Sequence, residues 1–145
     1  MTVRPARQND LAGLLALYAQ LNPDDAPLDP TRATTTLARM LANPGMTILV
    51  LEDAGVLAAT CTLVVIENLT RNAQPYALIE NVVTDAEHRT RGYGRAVIEA
   101  ALDKAWAEGC YKVMLMTGSK RPETLRFYTG IGFQQNKTGF QIRKA

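Results

Sequence analysis

The 145-residue sequence predicts an α+β fold: a mixed, largely antiparallel sheet with one parallel βαβ crossover, flanked by helices. Two observations predict it. Apolar runs of strand character follow one another at Met46–Leu51 and Val56–Ile66, separated only by the tight turn Asp53-Ala54-Gly55, which makes an antiparallel hairpin. Further on, a strand at Tyr76–Val83, an amphipathic helix and a strand at Tyr111–Met116 follow in turn, and such a unit sets its two strands parallel.

The elements follow in order. Thr2 to Pro5 reads as a short first strand. Asn9 or Asp10 then caps a helix whose Leu11, Leu14, Leu15, Tyr18 and Leu21 fall on one face. The run from Asn22 to Pro27 ends it, because proline lacks the backbone donor a helix needs. Asp29-Pro30-Thr31 starts a second helix, with Leu37, Met40 and Leu41 on its buried side, and Asn43-Pro44-Gly45 stops it. The hairpin comes next, then a polar loop from Glu67 to Pro75 and the strand to Val83. Asp85 to Arg91 is a charged loop. Arg95 to Glu108 is a helix with Val97, Ile98, Ala101, Leu102, Ala105 and Trp106 at helical spacing, closed by Gly109. After the strand at Tyr111–Met116, Glu123–Thr129 is a short helix, and Gly130-Ile131-Gly132-Phe133 leads into a final strand pair between Phe133 and Ile142.

Composition bounds the function. Hydrophobic residues make up 47% and charged residues 21%, as in an ordinary soluble protein, and the length fits one domain over 1–145. Sixteen basic and fourteen acidic residues leave a net charge of +2, which calls for neither nucleic acid nor an anionic membrane as partner. Cys61 and Cys110 lie in apolar contexts without CxxC spacing or neighbouring histidines, so buried free thiols are expected, and no metal. No signal-peptide pattern and no apolar run of the ~18 residues a membrane span needs are present, so the expected location is the cytoplasm. The Asn68-Leu69-Thr70 sequon then carries no glycan.

One turn stands out chemically. Arg89, Arg91 and Arg95 are interleaved with Gly92 and Gly94 where a helix begins. Glycine lets the backbone approach an anion, the first N–H groups of a helix lack intrahelical partners, and arginine adds bidentate contacts. Together these form a diphosphate cradle. A dinucleotide fingerprint would need a glycine at Val97, and a P-loop would need Gly-Lys-Ser/Thr, which is absent. On spacing alone the stretch also fits a solvated basic loop capping a helix.

The pattern Arg/Gln-x-x-Gly-x-Gly/Ala, here Arg89-Thr90-Arg91-Gly92-Tyr93-Gly94 after Ile79-Glu80-Asn81-Val82-Val83-Thr84, resembles the coenzyme A signature of the GNAT N-acetyltransferase superfamily. A second block, Leu125 to Phe133, is similar to another motif of that family. The element order is also that of the acyl-CoA N-acyltransferase fold. Ile79–Val83, Gly109–Val113 and Gln141–Lys144 look most like glucosamine-6-phosphate N-acetyltransferases. Two departures from that subgroup are Asn81, where it usually carries an acid, and Thr117–Thr124, which is longer and basic where it is acidic.

The resemblance implies acetyl-CoA as donor and a small-molecule primary amine as acceptor, or alternatively an amino sugar phosphate, a protein or peptide amine, or a coenzyme A sensor without catalysis. It implies that Val82, Val83 and Thr84 lie along the pantetheine arm, with Val82 and Thr84 bonding through their backbones. Arg89, Thr90, Arg91, Gly92, Tyr93, Gly94 and Arg95 would hold the diphosphate, and Thr124, Phe127 and Tyr128 would add cofactor contacts. Tyr128 would protonate the departing thiolate; the bland alternative is a core aromatic beside Phe127. Glu80 would act as base through water, or else serve structurally. Alternation places Glu80 on the same side of its strand as Val82. His88 is expected at the surface, with Asp85 and Glu87 capping or salt-bridging the loop. Arg71, Lys120 and Arg121 either face an acceptor anion or are solvated charge, and Tyr18 and the Asn22–Pro30 loop would shape the acceptor pocket. A homodimer with C-terminal strands at its interface is the implied assembly.

Overall fold

The structure is a computed structural model that describes residues 2–144. It contains two compact units, Met1–Met114 and Leu115–Ala145. The first holds a five-stranded sheet in the order β1-β2-β3-β4-β5. Its strands are β1 (Thr2–Pro5), β2 (Met46–Asp53), β3 (Val56–Ile66), β4 (Tyr76–Thr84) and β5 (Val113–Met114). Neighbours are antiparallel except β4 and β5, which are parallel. The mixed sheet with one crossover is therefore as the sequence predicts.

The helices follow from local chemistry. α1 (Leu11–Leu21) buries Leu14 and Leu17. The Asp10 carboxylate caps the preceding turn, accepting from the Arg7 N–H at 2.7 Å and from Arg4 at 2.8 and 3.0 Å. α2 (Pro30–Ala42) starts at Asp29, whose carboxylate accepts from the Arg32 N–H at 2.9 Å, with Pro30 in the first turn. Ala6, Leu14, Leu17, Leu37, Ile48, Val50, Leu57 and Val83 pack together on this side of the sheet.

The opposite face carries α4 (Tyr93–Ala107), which buries Val97, Ile98, Ala101 and Ala105. The Cys61 thiol donates to the Val97 carbonyl there at 3.4 Å. β2 and β3 are covered on both faces, which explains their unbroken apolar runs. α4 begins two residues earlier than its apolar spacing indicates, and Trp106 lies half exposed instead of in the core. It closes with Gly109 at φ 84°, as the N–H of Gly109 bonds to Trp106 and that of Cys110 to Ala105.

Three expectations need correction. The loop after β3 contains a single turn, α3 (Thr70–Ala73), in which Arg71, Asn72 and Ala73 are left-handed. β5 is only two residues long instead of spanning Tyr111–Met116: its ladder with β4 consists of Ala77↔Val113 and Leu78↔Met114. In the second unit α5 (Pro122–Ile131) forms, but residues 133–144 hold no strand pair. Asn136 to Gly139 have poor strand character, and Phe140 and Ile142 stay 91% and 98% exposed with no ladder to join.

Candidate functional site

β4 departs from regular geometry at Asn81. Thr62 is opposite Glu80 and Thr60 is opposite Val83, so Asn81 and Val82 together face Cys61. Asn81 has φ 51°, a conformation that asparagine tolerates better than most residues. An asparagine where the resembling enzymes carry an acid is thus compatible with this backbone.

The bulge overturns the expected alternation. Residues directly opposite across a ladder share a face. Glu80 therefore lies with Thr62, Thr60 and Val83 on the α1 side, while Val82 lies with Cys61 and Leu63 on the α4 side. Glu80 is exposed. Beyond Leu78↔Met114, no strand among the described residues pairs with β4 on that side from Ile79 to Thr84.

α1 brings Tyr18 over the same face. Its hydroxyl and that of Thr62 are buried without a hydrogen bond among the described residues. Burial pushes the Tyr18 hydroxyl pKa up, while the nearby Thr62 and Thr60 hydroxyls pull the other way. Thr60 itself donates to the Leu49 carbonyl at 2.7 Å.

The arginine–glycine turn lies at the N-terminus of α4. Thr90 has φ 66° and Gly92 φ 79°. Gly92 is the N-cap, and no side chain caps this helix. The Ala96 N–H is the first to bond back, to the Gly92 carbonyl at 3.0 Å. The N–H groups of Tyr93, Gly94 and Arg95 precede that bond, and the helix dipole adds roughly half a positive charge beside them. A diphosphate fits this donor set.

Side chains at the turn divide by role. Among the described residues Arg89 makes no ion pair. Arg95 pairs with Glu99 at 2.6 Å, and Arg91 stands 3.7 Å from Asp53. The Tyr93 side chain is buried, and its hydroxyl donates to Asp53 at 2.6 Å, which raises its pKa. Tyr93 thus ties the turn to the end of β2, and only its backbone is available to an anion. His88 is half-buried and not free at the surface: its ring nitrogen meets Asp85 at 2.6 Å and the ring stacks on Tyr93. Asp85 also accepts from the Gln20 amide at 2.6 Å and from the Glu87 N–H, and these contacts lower its pKa, that from Gln20 first. Gln20 in turn accepts from the Ala86 N–H at 2.9 Å, so α1 braces this loop. Sequence reasoning missed Asp53 and Gln20, and only their distance in the chain hid them.

In the second unit Tyr128 packs edge-on to Phe127 at 5.1 Å and to Phe133 at 6.2 Å. The Ser119 hydroxyl donates to Thr124 at 3.0 Å, and Arg121 pairs with Glu123 at 2.6 Å. Among the described residues no group of three or more His, Cys, Asp or Glu is arranged to hold a metal.

The Acetyltransferase (GNAT) family matches the chain over residues 13–133. The chain belongs to the GNAT family. This acetyltransferase is 33% identical over 135 residues to glucosamine 6-phosphate N-acetyltransferase 1 of Oryza sativa subsp. japonica, covering 90% of this chain and 79% of that one. It is 27% identical over 144 residues to glucosamine 6-phosphate N-acetyltransferase of Trypanosoma brucei brucei, covering 98% and 95%. The solved structure of a putative acetyltransferase from Agrobacterium tumefaciens superposes on the acetyltransferase with a TM-score of 0.96 at 51% identity, covering 99% of this chain and 100% of that one. The acyltransferase fold and N-acetyltransferase activity expected from the two motifs accordingly stand.

Proposed function

We propose that the chain moves the acetyl group of acetyl-CoA directly to a primary amine of a small molecule. The observation that carries this reading is the uncapped first turn of α4, with left-handed Gly92 before it and Arg89 three residues upstream of that glycine. In this reading the backbone from Thr90 to Arg95 and the Arg89 side chain hold the diphosphate. The open edge of β4 at Val82, Val83 and Thr84 pairs with the pantetheine amides, and an N–H of this stretch polarises the acetyl carbonyl. Thr124, Phe127 and Tyr128 keep the cofactor roles that the resemblance gives them.

Acetyl-CoA supplies an activated thioester. Glu80 accepts a proton from the acceptor ammonium through water, the neutral amine forms the C–N bond as the C–S bond breaks, and the second proton that the nitrogen sheds on becoming an amide replaces the one that Tyr128 gives up. Tyr128 gives its proton to the departing sulfur, which a phenol of pKa about 10 can do for a thiol of about 8.5. An amino sugar phosphate is the favoured acceptor, because the relatives from rice and Trypanosoma carry that name. Both compact units serve one acetyltransferase domain in this reading, since the family match runs through both. We also assign the protein to the cytoplasm as a homodimer; no helix among the described residues is long and apolar enough to cross a membrane.

Thiol release from acetyl-CoA, followed with glucosamine 6-phosphate, polyamines, amino acids and peptides, tests the reading. Turnover is expected with a small amine, and tight coenzyme A binding without any turnover sinks it in favour of a sensor. Tyr128→Phe should lower kcat about 100-fold. An unchanged kcat removes the acid role and leaves the donor assignment intact.

A further inference from the structure

β3 carries two polar side chains on its buried α1 face. Among the described residues the buried polar side chains are Asp10, Thr60 and Thr62. Asp10 is bonded to Arg4 and to the Arg7 N–H, and Thr60 donates to the Leu49 carbonyl. Thr62 differs: it is 3% exposed, and its hydroxyl has no hydrogen bond among the described residues. The Tyr18 hydroxyl is buried in the same condition. A buried hydroxyl left unpaired is destabilising, and valine and phenylalanine would fill the same space without that penalty.

Together the two hydroxyls fit a small polar occupant. Thr60 and Thr62 are two residues apart on one face of β3, and the Tyr18 hydroxyl lies near enough to both for each to bear on its pKa. Burial is the larger influence and raises that pKa, so Tyr18 keeps its proton and stays a donor at neutral pH. Thr60 has committed its proton to Leu49 and can only accept. Tyr18 and Thr62 each keep one O–H donor and free lone pairs. Water has the complementary set, and buried waters make about three bonds to groups that would otherwise be unsatisfied.

Register places this pair beside Glu80. Thr62 is directly opposite Glu80, and facing residues of an antiparallel ladder have Cβ atoms about 5 Å apart. The bulge follows immediately, so Glu80 stays on the Thr62 side while Val82 turns to the other. Glu80 is exposed and Thr62 is buried. A gap of this size between a carboxylate and a hydroxyl is one that a single water bridges.

We propose that Tyr18 and Thr62 are positioning residues that hold one water molecule against Glu80, and that the acceptor ammonium loses its proton through this water. Tyr18 donates to the water, the water donates to Thr62 and to Glu80, and its remaining lone pair faces the ammonium. The ammonium gives a proton to the water oxygen as that oxygen passes one of its own to Glu80. The amine is left neutral, Glu80 protonated and the water intact. Neither Tyr18 nor Thr62 changes its protonation in the step. The proposal rests on the acetyltransferase reading for the base role of Glu80.

The test combines kinetics with a crystal structure of the whole chain at a resolution that shows ordered water. Tyr18→Phe and Thr62→Val keep the packing and remove one hydroxyl each. Each should lower kcat about tenfold, part of the roughly 100-fold or more that positioned proton transfer supplies, with KM for acetyl-CoA unchanged. Thr62→Ser brings the hydroxyl back and should recover most of kcat. Wild-type crystals should show one water within hydrogen-bond distance of both hydroxyls and of Glu80, and Thr62→Val should lose it. The proposal is overturned by a wild type in which the two hydroxyls bond each other with no such water, by a kcat that neither variant changes, or by a loss that Thr62→Ser does not recover. Each of these leaves the enzymatic reading standing. If no amine is acetylated, the enzymatic reading falls and the crystal structure decides: a water on both hydroxyls and Glu80 supports the site, and hydroxyls without one overturn it.

Discussion

At the scale of single residues, Asp10 shows how one carboxylate joins two elements. It is 8% exposed and bonds both terminal nitrogens of Arg4 on β1 and the N–H that precedes α1. The Arg4 bonds, before any other cause, hold its carboxyl below the usual range. A carboxyl with a depressed folded-state pKa contributes stability that is present above its unfolded pKa of about 3.9 and is lost as pH falls through the folded value. Asp10→Ala should therefore destabilise the fold by about 2–3 kcal/mol at pH 7, since it leaves Arg4 only the 3.6 Å contact with Glu52 as an ion pair and leaves a backbone donor unpaired. Urea melts at pH 7 and pH 3 check this: the difference between wild type and variant should shrink at pH 3, and an equal difference at both would remove the ionic explanation. Asp10 is the N-cap of α1 by position, as its local sequence predicts, but its carboxylate bonds back to the Arg7 N–H and not to the N–H groups of α1. Sequence reasoning missed the bond to Arg4, which needs β1 and α1 side by side.

At the scale of elements, the start of α4 and the middle of β4 are complementary cases. Gly92 was legible as a special position, because an arginine–glycine stretch before an amphipathic helix has few uses. The structure adds the reason: at φ 79° a Cβ would meet nothing within 4 Å, so glycine is needed for its backbone conformation and not for space. Gly92→Ala should cost about 1–2 kcal/mol, expressed mainly at the turn. The expected outcome is a several-fold higher KM for acetyl-CoA with kcat nearly unchanged; cofactor affinity equal to wild type would remove the cradle assignment. The bulge at Asn81 was not legible. Strict alternation is the only rule that a lone strand offers, and the extra residue exists only in the register between β3 and β4. That one residue decides that Glu80 faces α1 and that Val82 does not.

At the scale of the whole molecule, the C-terminal segment is the least settled by its own sequence. Phe140 and Ile142 alternate with Gln141, a strand pattern, and both are almost fully exposed. Two large apolar side chains held in water by an unpaired segment fit the homodimer assigned above, with this segment at its interface. Sedimentation should then find a dimer, and replacing both Phe140 and Ile142 by serine should shift it to monomer. A monomeric wild type, or a dimer indifferent to both substitutions, would place any interface elsewhere.

The sequence by itself determined the order of the elements from β1 to α5 apart from the short α3, the hairpin, the single parallel crossover, the free buried thiols and the turn at Arg89–Gly94. All of these depend on periodicity, turn chemistry and caps, which act over a few residues. The family followed from two such local motifs. Only the tertiary structure decided which face carries Glu80, that Tyr93 is spent on Asp53 forty residues away, that Gln20 reaches Asp85 and the Ala86 N–H, and that Arg71 and Lys112 converge on the Tyr111 ring. Each of these depends on strand register or on contact between distant segments. Such contacts form when the chain closes its core, and no window of sequence contains both partners.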